Sequence, residues 1–257
     1  MTRVAVTRGV SPAIGRCELV HQERCSIDVA AARQQHRRYE AALAELGCRV
    51  EALPADPELA DSVFVEDAAI VLDEVAVITR PGAESRRPET APIARALGRY
   101  RSLLSIEAPG TLDGGDVLCM GRRLYAGVSS RSNQAAIDQL AAALGPYDYE
   151  VRAVPVSGYL HLKSAVTAVG DDTVLVDPHA VDPGVFTATR SIAIDPGERG
   201  AANALRIGER LLYPASFPAT RRRLEAAGVD VLEVDVSELQ KAEGAVTCCS
   251  LVFEVAV

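Results

Sequence analysis

The chain has 257 residues, of which 48% are hydrophobic, and a formal net charge of −8. This length is sufficient for a large buried core. The sequence has no apolar run long enough to predict a membrane span, so a membrane is not an expected partner. Because an acidic surface repels phosphate, a nucleic acid is not an expected partner either. The N-terminal segment lacks the charged region and apolar stretch of a secretory signal, so we expect a cytoplasmic protein whose six cysteines are free thiols. Because no two of these cysteines form a CxxC pair, they do not predict a zinc site.

The N-terminal part of the chain predicts a strand, a long loop, a helix and a second strand. RVAVTRG is a strand pattern, whereas residues 9–26 have no periodicity and predict a loop that either covers an active site or belongs to the surface. DVAAARQQHRRYEAALAELG predicts a helix that ends at Gly47 and is followed by the strand CRVEALP. The inward face of this helix is expected to consist of Tyr39, Leu43 and Leu46.

Four later stretches share one plan: an apolar segment, a polar turn, a second apolar segment and often a helix. Their turns are LDEV, MGRR, VGDD and IGER, which predict β-hairpins. The stretches begin at Asp67, Gly115, Lys163 and Asn203. A spacing of about 40–50 residues is typical of propellers and solenoids.

Helices and single strands follow the hairpins. SNQAAIDQLAAALGP predicts a helix with Ser132 as its N-cap and Gly145 at its end, and its inward face is expected to be Ile137, Leu140 and Leu144. PATRRRLEAAG predicts a shorter helix that ends at Gly228, and EVRAVPV and VDVLEVDVS predict single strands. The repeating unit is therefore two hairpin strands, one helix and one more strand.

The last strand, TCCSLVFEVAV, can pair with the first and complete a fifth unit from the two ends of the chain. Such closure removes sheet edges and is a recurring solution for radial repeats. We therefore predict one α/β domain over residues 1–257, with a central channel on which the segments before each hairpin converge.

Those segments are unusually polar. They carry Asp61, Glu66, Asp67, Asp113, Asp116, His161 and Lys163, and the last strand carries Cys248 and Cys249. A thiol, an imidazole and carboxylates suit covalent catalysis on a cation, and Arg86 and Arg131 could bind an anionic group. Together they predict a substrate that is an amino acid with a cationic side chain. The alternatives are turn-forming aspartates and a buried structural histidine.

Strand alternation separates the two adjacent cysteines. Neighbours in a strand point to opposite faces, and Cys249 shares its face with Leu251 and Phe253. This pattern predicts Cys249 in the core and Cys248 towards the channel, and a β-bulge would invert the assignment.

Several motifs occur together and in the order found in a known family. They are DSVFVEDAAIVLDEVAVITRPGAESRR, TLDGGDVL, GVSSRSNQ, LHLKS, AAN and TCCSL. The chain resembles dimethylargininase (dimethylarginine dimethylaminohydrolase), of the guanidino-modifying pentein superfamily, from about Asp61 to its C-terminus and more loosely before it. The resemblance implies a five-bladed, pseudo-symmetric α/β propeller of ββαβ repeats around a central channel.

The resemblance also implies roles for single residues. Cys248 matches the nucleophile, His161 the general acid and base, and Asp113 the carboxylate that orients the histidine. The implied substrate contacts are Glu66 and Asp67 at the guanidinium, Asp61 at the α-amino group, Arg86 and Arg131 at the α-carboxylate, Leu19 in a lid, the Ala242 carbonyl, and Phe64.

The implied reaction converts dimethyl- or monomethylarginine to citrulline and an amine through a covalent thiouronium-type intermediate on Cys248. It needs no metal or organic cofactor, its partner is a small cationic amino acid, and a homodimer is compatible with it. Arginine deiminase, amidinotransferase and a non-catalytic pentein-fold binding module are the alternatives. The chain has no room for the extra helical domain expected of arginine deiminases, which favours a short hydrolase.

Overall fold

The computed structural model describes residues 1–186 and 190–256. The strands are β1 (Thr2–Arg8), β2 (Cys48–Leu53), β3 (Ala69–Val71), β4 (Val75–Ile78), β5 (Ser102–Ser105), β6 (Val117–Met120), β7 (Arg123–Val128), β8 (Glu150–Pro155), β9 (Val166–Ala168), β10 (Thr173–Val176), β11 (Arg190–Ala193), β12 (Leu205–Ile207), β13 (Arg210–Pro214), β14 (Asp230–Val234) and β15 (Leu251–Val255). The α-helices are α1 (Val29–Glu45), α2 (Thr90–Leu97), α3 (Gln134–Leu144), α4 (Leu162–Ala165), α5 (Pro218–Ala226) and α6 (Ser237–Gln240). In the part of the chain so described, no helix is both long and apolar enough to cross a membrane.

The strands form five three-stranded sheets, and all four predicted hairpins are present. In each of these sheets the middle strand pairs antiparallel with its hairpin partner and parallel with the strand that follows. The fifth sheet joins the two ends of the chain, since β1 pairs antiparallel with β15 and parallel with β2. The predicted closure between the termini is therefore confirmed.

The apolar cores lie between neighbouring sheets. Alternate residues of each middle strand point to opposite faces, so each strand contributes to two different cores and reads as continuously apolar. The shared cores contain Val6 with Ile78, Val77 with Leu124, Tyr125 with Val174, Leu175 with Leu211, and Leu212 with Ala5. This succession returns to the first sheet, as in a ring, and is compatible with a closed five-bladed propeller.

Local sequence signals set the helix ends. The Asp28 side chain caps α1 by accepting hydrogen bonds from the amides of Ala30 and Ala31, and Gly47, with φ of 87°, follows the end of the helix. The predicted Ser132 cap of α3 is wrong, because Asn133 is the N-cap and accepts from the amide of Ala136. The Ser132 hydroxyl instead donates to the buried carboxylate of Asp116 at 2.6 Å.

Short helical turns precede the hairpins and were not predicted. Three of them are Val65–Ala68, Gly114–Asp116 and Leu162–Ala165, and residues 246–249 form a turn in front of β15. The prediction that Cys248 and Cys249 lie in a strand is therefore wrong, since the strand begins only at Leu251. The last residue of that predicted strand, Val257, lies outside the described residues. These turns carry the polar side chains that the sequence analysis singled out.

Candidate active site

A narrow cavity lies where these turns meet. Of the residues predicted for the site, its lining includes Asp61, Phe64, Asp67, Arg86, Arg131, His161, Ala242 and Cys248. The water-accessible volume is only about 10 Å³, which is room for roughly one water molecule. The site is thus assembled from segments far apart in the sequence and is nearly closed.

His161 is held between two carboxylates. Its Nε2 lies 3.0 Å from Oδ2 of Asp113, and its Nδ1 lies 3.8 Å from Oδ1 of Asp67. Burial lowers the pKa of His161, but Asp67 and the hydrogen bond to Asp113 outweigh it and raise the pKa to about 9. The imidazole is therefore a cation at neutral pH and can donate a proton.

Asp113 is itself fixed in place. It is fully buried, its Oδ1 accepts a hydrogen bond from the amide of Gly82 at 2.9 Å, and its own amide donates to the hydroxyl of Ser132 at 3.1 Å. A Cβ at Gly115 would lie 2.6 Å from Nδ1 of His161, so the glycine makes room for the ring. The orientation of the histidine is thus set by a rigid frame.

The two cysteines have different surroundings. Cys248 lines the cavity, and its carbonyl accepts a hydrogen bond from the amide of Glu66 at 3.1 Å. The Cys249 thiol is fully buried in an apolar core and donates to the carbonyl of Ala245 at 3.5 Å. Burial first, and then Glu66 and Asp67, raise the pKa of Cys248 well above its ordinary value. Cys248 is therefore a neutral thiol in this state.

Asp67 and Arg86 form a buried ion pair beside the histidine. Arg86 Nη1 lies 2.5 Å from Oδ2 of Asp67, and its other nitrogens donate to Glu89 and to the carbonyl of Phe64. Although burial raises the pKa of Asp67, His161 and Arg86 lower it to about 2. Asp67 is thus an anion that faces the histidine and the cavity.

The cavity is also lined by the carboxylate of Asp61 and the guanidinium of Arg131. Both carboxylate oxygens of Asp61 accept hydrogen bonds from the amide of Glu18, at 3.2 Å, and burial raises the pKa of Asp61. The buried Nη1 of Arg131 has no hydrogen-bond partner among the described residues. Such an orphaned cationic donor suits an anionic ligand group.

Two predicted contacts lie outside the cavity lining. The Glu66 carboxylate lies 2.6 Å from Lys163 Nζ and accepts a hydrogen bond from the Thr247 hydroxyl at 2.8 Å. In this position Glu66 lines a separate pocket of about 700 Å³. Leu19 packs against an apolar core, and its neighbour Glu18 lines the cavity instead. Their roles at a substrate stay predictions.

Sequence reasoning missed several residues of the site. Glu18, Leu160, Glu243 and Gly244 line the cavity without any local signal in their sequence. Asn203 had only the AAN motif to mark it.

Asn203 joins two of the turns that carry the site. Its amide group donates to the carbonyl of Lys163 and the hydroxyl of Thr247, and its oxygen accepts from the amide of Thr247. It therefore ties the turn of the thiol to that of the histidine.

One group of side chains in the described part of the chain has the donor geometry for a cation. Donor atoms of Asp67, Asp113 and His161 lie within 4.8 Å of one another. A metal would have to displace a proton from a histidine whose pKa is raised to about 9. In the structure His161 is hydrogen-bonded to Asp113 at 3.0 Å and forms an ion pair with Asp67 at 3.8 Å.

Comparisons with known proteins find similar chains over most of the sequence. Residues 18–184 match the family model described as N,N dimethylarginine dimethylhydrolase, eukaryotic. The chain is 44% identical over 253 residues to an N(G),N(G)-dimethylarginine dimethylaminohydrolase of Streptomyces coelicolor, covering 97% of this chain and 96% of that protein. It is 37% identical to the Pseudomonas aeruginosa protein of the same name, covering 88% and 90%.

Solved structures give the same result. A cysteine-to-serine mutant of the Pseudomonas aeruginosa enzyme, complexed with citrulline, matches with a TM-score of 0.94 at 34% identity, covering 98% of this chain and all of that one. The N-terminal domain of ArgZ, an arginine dihydrolase from cyanobacteria, matches with a TM-score of 0.83 at 19% identity, covering 98% and 97%. At 19% identity, this similarity concerns the fold alone.

Proposed function

Because the chain belongs to the dimethylarginine dimethylaminohydrolase family, we propose that it hydrolyses Nω-methylated arginine to citrulline and dimethylamine or methylamine. The observation that carries the proposal is that one narrow cavity is lined by a thiol, by a histidine that pairs with the buried Asp113, and by an arginine whose buried Nη1 has no hydrogen-bond partner among the described residues. Each of these groups has a task in cleaving the C–N bond of a guanidino amino acid.

The polar groups of the cavity fit such a substrate. Arg131 would bind the α-carboxylate through its buried Nη1, and Asp61 would accept from the α-ammonium group. Asp67 is the anion beside His161 and would accept from the guanidinium. A zwitterion with a cationic side chain therefore matches the charges of the cavity.

The resting protonation states define the first step. Cys248 is a neutral thiol and His161 an imidazolium, so the histidine has no free site to accept the thiol proton. A bound guanidinium would lower the pKa of Cys248, and the thiol proton leaves to solvent. The thiolate then attacks the guanidinium carbon and forms a C–S bond.

His161 moves the remaining protons. The imidazolium donates its proton to the departing amine as the C–N bond breaks, which leaves a thiouronium-type intermediate on Cys248. The neutral imidazole then accepts a proton from water as the oxygen attacks the same carbon. Collapse of this neutral adduct breaks the C–S bond, and its hydroxyl proton passes to the departing sulfur, so that citrulline and the neutral Cys248 thiol are released. Asp113 keeps the imidazole oriented throughout.

The experiment is a product assay with three separate substrates: dimethylarginine, monomethylarginine and arginine. Citrulline and the released amine are measured together, and the Cys248→Ser variant is the control for contaminating activity. We expect equal amounts of citrulline and methylated amine from at least one methylated substrate. Citrulline from arginine alone would support a deiminase, and no citrulline from any of the three would contradict the proposal. The cytoplasmic location and the homodimer stay predictions.

A further inference from the structure

Glu243 makes an unusual set of contacts beside the cavity. Its carboxylate accepts hydrogen bonds from three consecutive backbone amides, those of Val20, His21 and Gln22, with the shortest distances at 2.6 Å. Successive amides that converge on one carboxylate form an anion-binding nest, and charge-assisted bonds of this kind are strong. One side chain therefore holds residues 20–22, here called the loop tip.

The loop tip is exposed to solvent and belongs to the long loop between β1 and α1. In the described residues, the hydrogen bonds of its three backbone amides go to Glu243 alone. The flanking Glu18 is bound separately, through its amide to Asp61 and through its carboxylate to Ser85. Loss of the Glu243 contact would therefore free the tip but leave its base attached.

Glu243 is also held in a costly backbone conformation. Its φ is 56°, which L-residues other than glycine rarely adopt. Such a conformation persists only where surrounding contacts favour it, and it often occurs where function depends on it. Its neighbours Ala242 and Gly244 both line the catalytic cavity, so a change at Glu243 would reach the wall of the site.

Glu243 lies in the wall between the catalytic cavity and a larger pocket. A pocket of about 500 Å³ lies alongside and shares Leu160, Glu243 and Gly244 with the catalytic cavity. The same pocket is lined by His21 and Gln22 of the loop tip. The catalytic cavity, at about 10 Å³, cannot admit an amino acid as it stands. Opening at this shared wall would connect it to a space of sufficient size.

We propose that Glu243 is a latch that holds the loop tip against the wall shared by the two cavities and so keeps the catalytic cavity closed. Release of its carboxylate from the three amides joins the cavity to the neighbouring pocket, admits the substrate and lets the products leave. Glu243 is a positioning residue in this scheme, since it acts through the loop. The proposal rests on the proposed function only for the identity of the substrate.

Alkylation of Cys248 by iodoacetamide, followed by mass spectrometry of the peptides, tests the latch without any substrate. Asparagine tolerates positive φ, so Glu243→Asn preserves the backbone conformation. The asparagine side chain is uncharged and too short to reach the three amides. Glu243→Gln keeps the length and loses the charge. We expect Cys248 to react about ten times faster in Glu243→Asn than in the unmodified protein, with Glu243→Gln between them, because charge-assisted hydrogen bonds are lost.

The chain provides internal controls. Cys119 is exposed and lies in β6, outside the loop, so it should react at the same rate in every variant, whereas Cys249 is fully buried in the core and should stay unreactive. If the substitution merely loosens the fold, Cys249 will react as well, and this outcome contradicts the latch. Glu209→Gln, a substitution of an exposed glutamate outside the site, is the matched control and should change neither rate.

Steady-state kinetics provide the second readout. We expect Glu243→Asn to raise KM for dimethylarginine about ten-fold and to change kcat far less, because the closed bound state is lost while the reacting groups stay in place. If the rate of Cys248 alkylation in both Glu243 variants equals that of the unmodified protein, the latch is overturned, whichever substrate the enzyme hydrolyses. An unmodified protein that is inactive on all methylated arginines would instead overturn the proposed function and leave the alkylation result valid.

Discussion

The Nε2 atom of His161 lies 3.0 Å from the Oδ2 atom of Asp113, although the two residues precede strands of different sheets. Because Asp113 is fully buried and fixed by the amide of Gly82, this pair can orient the ring and support its positive charge at the same time. The pair should therefore control both the rate of the reaction and its pH dependence.

Replacing Asp113 with asparagine should slow turnover and shift its pH dependence. The amide can still accept from Gly82, but it no longer supports the imidazolium, so the pKa of His161 falls and kcat drops by roughly 10²–10⁴-fold. The measurement is kcat against pH, in which the basic limb should move to lower pH. Asp113→Glu should restore part of the rate, and Asp138→Asn, on an exposed helix face, is the control. An unshifted basic limb in Asp113→Asn would contradict this role.

The raised pKa of His161 should also appear in stability. The pKa is about 9 in the folded protein against an ordinary value of 6.5. The stabilisation is therefore complete below pH 6.5 and is lost as the pH rises through about 9, by a few kcal/mol in total. Urea unfolding between these two pH values should show the free-energy gap between the unmodified protein and His161→Asn becoming smaller. Parallel curves for the two proteins would rule out a protonated histidine.

The two adjacent cysteines should differ sharply in their importance. Cys248→Ser should reduce turnover by roughly 10⁴-fold or more, because a hydroxyl replaces the only thiol that lines the described cavity. Cys249→Ser should keep most of the activity, since its hydroxyl can still donate to the carbonyl of Ala245. Citrulline formation by both variants is the measurement, with circular dichroism to verify the fold. The reverse ranking would place the nucleophile at Cys249.

Arg131 should contribute mainly to substrate binding. Arg131→Ala removes the buried Nη1 donor, which has no partner among the described residues, and should raise KM for dimethylarginine by roughly 10–100-fold, with a smaller change in kcat. A methylated guanidine that lacks the α-carboxylate should show little further loss in this variant. Arg122→Ala, which removes a half-exposed surface arginine, serves as the matched control. Equal losses on both kinds of substrate would exclude a contact with the carboxylate.

Gly114 should be essential for the fold around the site. A Cβ there would lie 2.0 Å from the backbone oxygen of Glu66, which cannot move without shifting the turn that contains it. Gly114→Ala should therefore lower the free energy of unfolding by about 2–4 kcal/mol. Gly145→Ala is the control, since a Cβ at Gly145 meets no atom within 4 Å. Similar unfolding curves for the two variants would contradict the close approach.

Much of the architecture could be predicted from the sequence because it follows from short-range patterns. The four hairpins are set by apolar segments on either side of turns such as LDEV and IGER, and α1 by its Asp28 cap and Gly47. The fifth sheet required only that the terminal strands have no other partners. The motifs around His161 and Cys248 indicated the chemistry, because their order resembles that of the dimethylargininase family and because a thiol, a histidine and carboxylates suit covalent catalysis on a cation.

The tertiary structure decided what these patterns do not encode. It placed Cys248 and Cys249 in a turn, so their separate environments come from long-range packing and not from strand alternation. It turned Glu66 towards Lys163, made Asn203 a clamp on the thiol-bearing turn, and joined Glu243 to a loop more than 200 residues away in the chain. Hydrogen bonds and ion pairs of this kind depend on which turns the ring brings together, whereas hydrophobic periodicity records only which side of its own strand or helix a residue occupies.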